Sequence, residues 1–312
     1  MLILGLQKVT LLDYPGEIAC TVFLGGCNFR CPFCHNGSLV LEDRMGESIS
    51  PDEFFAFLDS RKGRLQGVCV SGGEPTLHSD LPEFLREIKA RGFLVKLDTN
   101  GTNPEMLSSL IADGLVDYVA MDIKNSPKKY LKTAGLDEEC RMQSAECRMQ
   151  SAECRMQSVS SNKTVDNCFL RDECAETRSD ASDTCPREQN DYVSREKVQN
   201  AEKQGACDDQ CTKTEDATRF QELVRRVKES ASLLMRGGVD FEFRTTLMRE
   251  LHTTDDIKEI GRWLEGEEKY FLQTYREEVD LIVGGFTPFE KDETEGLLAL
   301  LREHLPNAQI RG

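Results

Sequence analysis

Hydrophobic positions along this chain keep changing their period. From Ile18 to Asn125, short apolar runs alternate with longer stretches in which apolar residues recur every three or four positions. "IACTVFL" (18–24), "GVCVSGG" (67–73), "FLVKLDTNG" (93–101) and "VDYVAMDIKN" (116–125) are short and β-rich, which predicts buried strands. Between them, "SPDEFFAFLDS" (50–60), "SDLPEFLREIKARG" (79–92) and "PEMLSSLIADG" (104–114) carry helical spacing. Ser50 is placed to cap the first of these, with Pro51 at the first helical position, and Gly92 falls just past the end of the second.

The alternation resumes after Asp216. "RFQELVRRVKESASLLMRGG" (219–238) reads as a helix, "VDFEFRTTLM" (239–248) as a strand and "TTDDIKEIGRWLEG" (253–266) as a helix. "KYFLQTY" (269–275) is one more strand, and the helical "ETEGLLALLREHLP" (293–306) comes last. Strands and helices at this rhythm imply right-handed crossovers and a parallel sheet. The expected fold is therefore α/β, a partial (β/α)6 barrel.

One segment breaks the pattern. "ECRMQSA" begins at Glu139, recurs at Glu146, and recurs again at Glu153 with Val159 in place of the last alanine. Bulky apolar residues are scarce from there to Asp216, so burial cannot offset the entropy of ordering the segment. The expected organisation is an N-terminal part of the barrel over 1–136, a disordered insertion with heptapeptide repeats over 137–216, and a C-terminal part over 217–312.

Charge changes the picture in one respect. Of the net −16, half falls in Asp137–Asp216, which holds nineteen acidic and eleven basic residues. An acidic chain of this kind is not expected to bind nucleic acid. No apolar run approaches a membrane span, and "MLILGLQKVTLLDYPGE" lacks a charged leader and cleavage site. A cytoplasmic location is expected. There, thirteen cysteines point to metal or redox chemistry rather than to disulfides.

That chemistry concentrates in "GCNFRCPFCHNG" (26–37), where Cys27, Cys31 and Cys34 stand with His35 directly behind. Thiolates are soft ligands, suited to zinc, copper(I) or iron–sulfur clusters. A structural zinc needs four ligands, and His35 is the only nearby fourth, awkwardly adjacent to Cys34. Three thiols on a 4Fe–4S cluster leave one iron open to a substrate. A non-catalytic zinc-binding module stays open as the alternative. Cys20 and Cys69, inside apolar strands, read as packed core thiols.

The spacing Cys-x3-Cys-x2-Cys, with Phe33 before the last cysteine, resembles the radical S-adenosylmethionine (SAM) superfamily. "SGGEP" (71–75), "LDTNG" (97–101) and "MDIKN" (121–125) follow in the family's order, each after an expected strand. The last two resemble segments of glycyl-radical enzyme activases, the pyruvate formate-lyase activase among them. "GLQKVTLLDYPGEIACTVFLGGCNFRCPFCHNGSLV" (5–40) and the later "FEFRTTLMRELHTTDDIKEIGRWL" and "KYFLQTY" resemble the activating proteins of anaerobic ribonucleoside-triphosphate reductase.

This resemblance implies an oxidoreductase with a 4Fe–4S cluster on Cys27, Cys31 and Cys34. It implies SAM along Phe33, His35, Gly72, Gly73, Glu74, Asp122, Ile123 and Lys124. Asp98 and Thr99, with Asp122, would hold a monovalent cation beside the cofactor. Reductive cleavage of SAM would then place a glycyl radical on a partner enzyme, with flavodoxin or ferredoxin as the low-potential electron donor in an anaerobic setting. The expected partner is the anaerobic reductase; pyruvate formate-lyase or another glycyl-radical enzyme is the alternative. The family's late-strand contact to SAM is left unassigned between Gln273 and Tyr275, and Arg244 is a candidate to face the site.

Overall fold

The computed structural model describes residues 1–136, 218, 221–266, 269–277 and 280–311. The expected insertion at 137–216, with its repeats, lies outside the described residues. The chain divides into two units, Met1–Cys140 with Arg219–Gly312, and Arg141–Thr218; the sheet belongs to the first.

That sheet has eight strands in sequential order, β1 (Ile3–Thr10), β2 (Ala19–Leu24), β3 (Gly67–Gly72), β4 (Leu94–Thr99), β5 (Tyr118–Asp122), β6 (Asp240–Leu247), β7 (Tyr270–Thr274) and β8 (Gln309–Arg311). β1 pairs antiparallel with β2, and every later pairing is parallel. β1 and β8 stand at opposite ends of the strand order and do not pair, so the barrel is open.

From β2 to β7 each strand is followed by a helix: α1 (Pro51–Ser60), α2 (Leu81–Ala90), α3 (Pro104–Ala112), α4 (221–235), α5 (Thr254–Trp263) and α6 (Lys291–Arg302). These are the six expected strand–helix units. Their starts are set locally: Ser50 accepts the Glu53 N–H, Asn103 accepts the Met106 N–H, and Thr253 with Asp256 forms a reciprocal capping box. Val227, Ala231 and Leu234 of α4 are fully buried at helical spacing, which fixes the face it turns to the sheet.

β1 and β8 were not among the expected strands. β1 reads "ILGLQKVT", and Gln7, Lys8 and Val9 are exposed, so its apolar signal is broken where a sheet edge meets water. β8 is three residues long, below what a periodic pattern can register.

The two faces of the sheet differ. Val95, Leu97, Val119 and Phe243 belong to the apolar core. On the opposite face of β4 and β6, Asp98 pairs with Lys96 and Arg244, and Glu242 pairs with Arg311 of β8. The interior of the open barrel is thus charged, and the packing core lies between sheet and helices.

Candidate functional site

The carboxyl ends of β2 to β7 converge on one rim, where α/β sheets build their sites. The loop after β2 carries Cys27, Cys31 and Cys34, and main-chain contacts hold it on three sides. From β3, Gly73 donates its N–H to Leu24 O at 2.8 Å and Glu74 donates to Gly26 O at 2.8 Å. This approach is so close that a Cβ on Gly73 would sit 1.9 Å from Gly26 O. Gly72, with φ +119°, makes the same contact against Leu24. From the turn after the single helical turn Tyr130–Thr133, Ala134 O accepts the Arg30 N–H at 2.9 Å. From the segment after β7, Ile282 and Val283 donate to Cys34 O and Pro32 O, and the Asp280 carboxylate accepts both the N–H and the hydroxyl of Ser38.

The three cysteines are free thiols. Burial pushes Cys27 up to about 12 and raises Cys31 and Cys34 as well. The Lys124 ammonium opposes that rise at each of them. Among the described residues, no three Cys, His, Asp or Glu side chains converge to hold a single metal ion. A 4Fe–4S cluster binds each cysteine through a different iron and needs its thiols farther apart than one ion does. The three thiols stand near the Lys124 ammonium, which favours their thiolate forms, the forms that ligate a cluster.

An aromatic wall flanks Cys34. Phe33 packs edge-on against Phe286 at 6.3 Å between centroids, and His35 lies 5.6 Å from the ring of Tyr275. His35 Nε2 and Tyr275 Oη are both buried and have no hydrogen-bond partner. Two orphaned polar atoms on an apolar wall are what a nucleoside would satisfy. Tyr275 directly follows β7, which places it at the late-strand position the sequence left unassigned.

Glu74 does not point into open space. Its carboxylate accepts from the Thr76 N–H, the Thr76 hydroxyl, the Thr99 hydroxyl and the Asn100 N–H. Glu74 and Thr99 are therefore brought together as a brace between the turns after β3 and β4. Asn100 extends the brace to the cysteine loop by donating to Asn28 Oδ1 at 2.8 Å. Ile123 is likewise committed: its side chain is fully buried, its N–H donates to Arg244 O, and its carbonyl accepts the Thr245 hydroxyl.

The other predicted acids form one charged group. Asp122 and Arg244 are direct partners across β5 and β6, and the guanidinium meets Asp122 Oδ1 at 2.9 Å. Lys124 Nζ meets Asp122 Oδ2 at 3.0 Å. Burial alone would raise Asp122, yet Arg244 and Lys124 outweigh it and hold the carboxyl at about 2. Asp98 is buried too; Lys96, then Arg244, pull it below the usual range. Lys96 was not singled out from the sequence. Its signal was present, since a residue two before Asp98 on a strand shares its face. His252 sits behind Lys124, its Nε2 2.9 Å from Lys124 O.

Residues 21–165 match the family described as the Radical SAM superfamily. A Methanocaldococcus jannaschii protein, whose name assigns it to the glycyl-radical enzyme activating enzymes, is 43% identical over 133 residues, covering 41% of this chain and 52% of that one. The pyruvate formate-lyase-activating enzyme of Listeria monocytogenes is 37% identical over 146 residues, covering 41% and 55%. The matches thus span about half the length of these curated relatives. In structure, Streptococcus suis SuiB bound to S-adenosylmethionine aligns with 94% of this chain and 52% of its own, at TM-score 0.53 and 9% identity, a likeness of fold. No helix among the described residues is long and apolar enough to cross a membrane.

Proposed function

We propose that this chain is a radical SAM glycyl-radical enzyme activase whose partner is anaerobic ribonucleoside-triphosphate reductase, a reading supported by the match of residues 21–165 to the radical SAM superfamily. The observation that supports the reading is the trio Cys27, Cys31 and Cys34, free thiols with Cys31 buried and the other two half-buried, on the loop at the rim where the strands end. When bound, a reduced 4Fe–4S cluster supplies the electron that splits the sulfonium of SAM, giving the radical that takes a hydrogen atom from a glycine α-carbon.

The protein's own part is to hold and orient. Cys27, Cys31 and Cys34 hold three irons and leave the fourth for the methionine end of SAM. The carbonyl edge at Gly72 and Gly73 would receive the methionine amino group, and Glu74 keeps their turn in place. Phe33, His35 and Tyr275 form the adenine side, where the orphaned Nε2 and hydroxyl find partners. Asp122, Ile123 and Lys124 complete the wall, and Lys124 places positive charge beside the thiolates that assembly of the cluster requires.

Identity with activases in two organisms supports the activase reading. The Listeria relative keeps pyruvate formate-lyase as the alternative partner. A flavodoxin or ferredoxin is the proposed electron donor, in an anaerobic cytoplasm.

The test is anaerobic reconstitution of the full chain with iron and sulfide, followed by reduction and addition of SAM with each candidate partner polypeptide. A glycyl-radical signal on the reductase by electron paramagnetic resonance is the expected result. A signal on formate-lyase alone would reassign the partner, and a colourless protein holding stoichiometric zinc would remove the reading altogether.

A further inference from the structure

The resemblance stated at the level of sequence gives Asp98, Thr99 and Asp122 to a monovalent cation. In the structure every side-chain oxygen of the three already has a partner within the chain. The Asp98 carboxylate takes the Lys96 ammonium on Oδ1 and the Ser71 hydroxyl on Oδ2 at 2.9 Å, with Arg244 Nη1 3.7 Å away. Asp122 takes Arg244 on one oxygen and Lys124 on the other. The Thr99 hydroxyl donates to Glu74 and accepts the Gly101 N–H at 3.1 Å.

Charge points the same way. Two carboxylates face three cationic side chains, Lys96, Arg244 and Lys124. The nearby Glu242 adds no spare negative charge, because Arg311 occupies both of its oxygens. A further metal cation would enter a half-buried group whose own side chains are already net positive. Lys96 is itself almost wholly buried, its Nζ reaching only Asp98 and the Cys69 sulfur at 3.7 Å.

We propose that Lys96 and Arg244 are this chain's built-in replacement for a monovalent cation, so that SAM binds without added sodium or potassium. The inference rests on the SAM-binding reading above and deepens it. Lys96 and Arg244 are positioning residues here. They fix Asp98 and Asp122, leave the group one positive charge in excess, and thereby favour the carboxylate end of an amino acid such as the methionine of SAM.

The experiment uses the cluster-loaded full chain, exchanged into a tetramethylammonium buffer and titrated with sodium or potassium chloride at constant ionic strength. SAM affinity by equilibrium dialysis is read in one arm, and the thermal midpoint without SAM in the other. For the native chain both should stay flat, the affinity within about twofold, since no ion is linked to the bound or folded state. In Lys96→Met, which leaves Asp98 short of its cation, SAM affinity should fall in tetramethylammonium and recover by about tenfold with potassium. A native chain whose SAM affinity or midpoint rises with sodium or potassium overturns the proposal, whatever the variant does. SAM that binds in no medium would remove the reading of the site instead, while the midpoint arm still decides whether a cation is bound.

Discussion

Glu74 Oε2 accepts the backbone N–H of Asn100 at 2.6 Å, and this bond ties the turn after β3 to the turn after β4. All four of the carboxylate's partners are donors, so the brace needs an acceptor on both oxygens. In Glu74→Gln one oxygen becomes an NH2 that must face an N–H or hydroxyl donor. The substitution should destabilise the chain by about 1–3 kcal/mol, measured by denaturant unfolding. A native-like midpoint would mean the carboxylate is not a brace.

Gly73 offers a test of the close approach between that turn and the cysteine loop. A methyl group there would meet Gly26 O at 1.9 Å, a contact that no rotamer relieves because both partners are main chain. Gly73→Ala should therefore displace the loop, lowering bound iron after reconstitution well below that of the native chain. Gly114→Ala is the control: Gly114 has a positive φ, which Gly73 does not, but its added Cβ would meet nothing within 4 Å. It should cost about 1 kcal/mol of strain and leave iron content unchanged.

Much of this architecture was legible because the strands that build the site are buried on both faces. β2 and β3 read as continuous apolar runs, and Ser50 marks a helix start by side-chain chemistry that acts over three residues. β1 escaped because its edge position lets Gln7 and Lys8 face water. The site was legible as residue types at strand ends, but not as partnerships. Nothing local to "LDTNG" says that Thr99 turns to Glu74, 25 residues away, or that Lys96 answers Asp98 inside the barrel. Such pairings are set by register across β3, β4, β5 and β6, which sequence spacing alone does not specify.

The two kinds of cysteine should separate cleanly. Cys20 and Cys69 are fully buried in β2 and β3, with burial holding both thiols protonated, Cys20 up to about 12. Cys20→Ala should reconstitute a full complement of iron and lose about 1 kcal/mol of stability from the missing sulfur. Cys27→Ala, Cys31→Ala and Cys34→Ala should each lose the cluster and SAM cleavage while folding. Iron and sulfide analysis with circular dichroism reads both outcomes, and iron loss in Cys20→Ala would contradict the division.

Tyr275 carries a buried hydroxyl with no hydrogen-bond partner among the described residues. Tyr275→Phe removes a polar atom that folding does not use, so the midpoint should stay level or rise slightly. If the hydroxyl meets the nucleoside, SAM affinity should fall by about 3- to 10-fold, the worth of one neutral hydrogen bond. Equilibrium dialysis of the cluster-loaded variant measures this. Unchanged affinity would take Tyr275 out of the SAM site and leave it to packing against His35 and Phe286.

His252 gives the chain a pH dependence whose sign follows from its bonds. The ring is buried, its Nδ1 accepts the Met248 N–H, and Nε2 therefore carries the proton donated to Lys124 O. Burial lowers its pKa below the ordinary 6.5, against the opposing pull of the Lys124 carbonyl and Asp256. With the folded value below the unfolded one, the unfolded chain binds the proton first as pH falls. Stability should therefore be level above about 6.5 and decline as pH drops below it, through the folded value. His252→Gln keeps one donor for Lys124 O and cannot ionise, so it should lower stability at pH 8 but flatten that decline. Urea unfolding of both chains across pH 5 to 8 is the measurement, and parallel profiles would show that another group sets the slope.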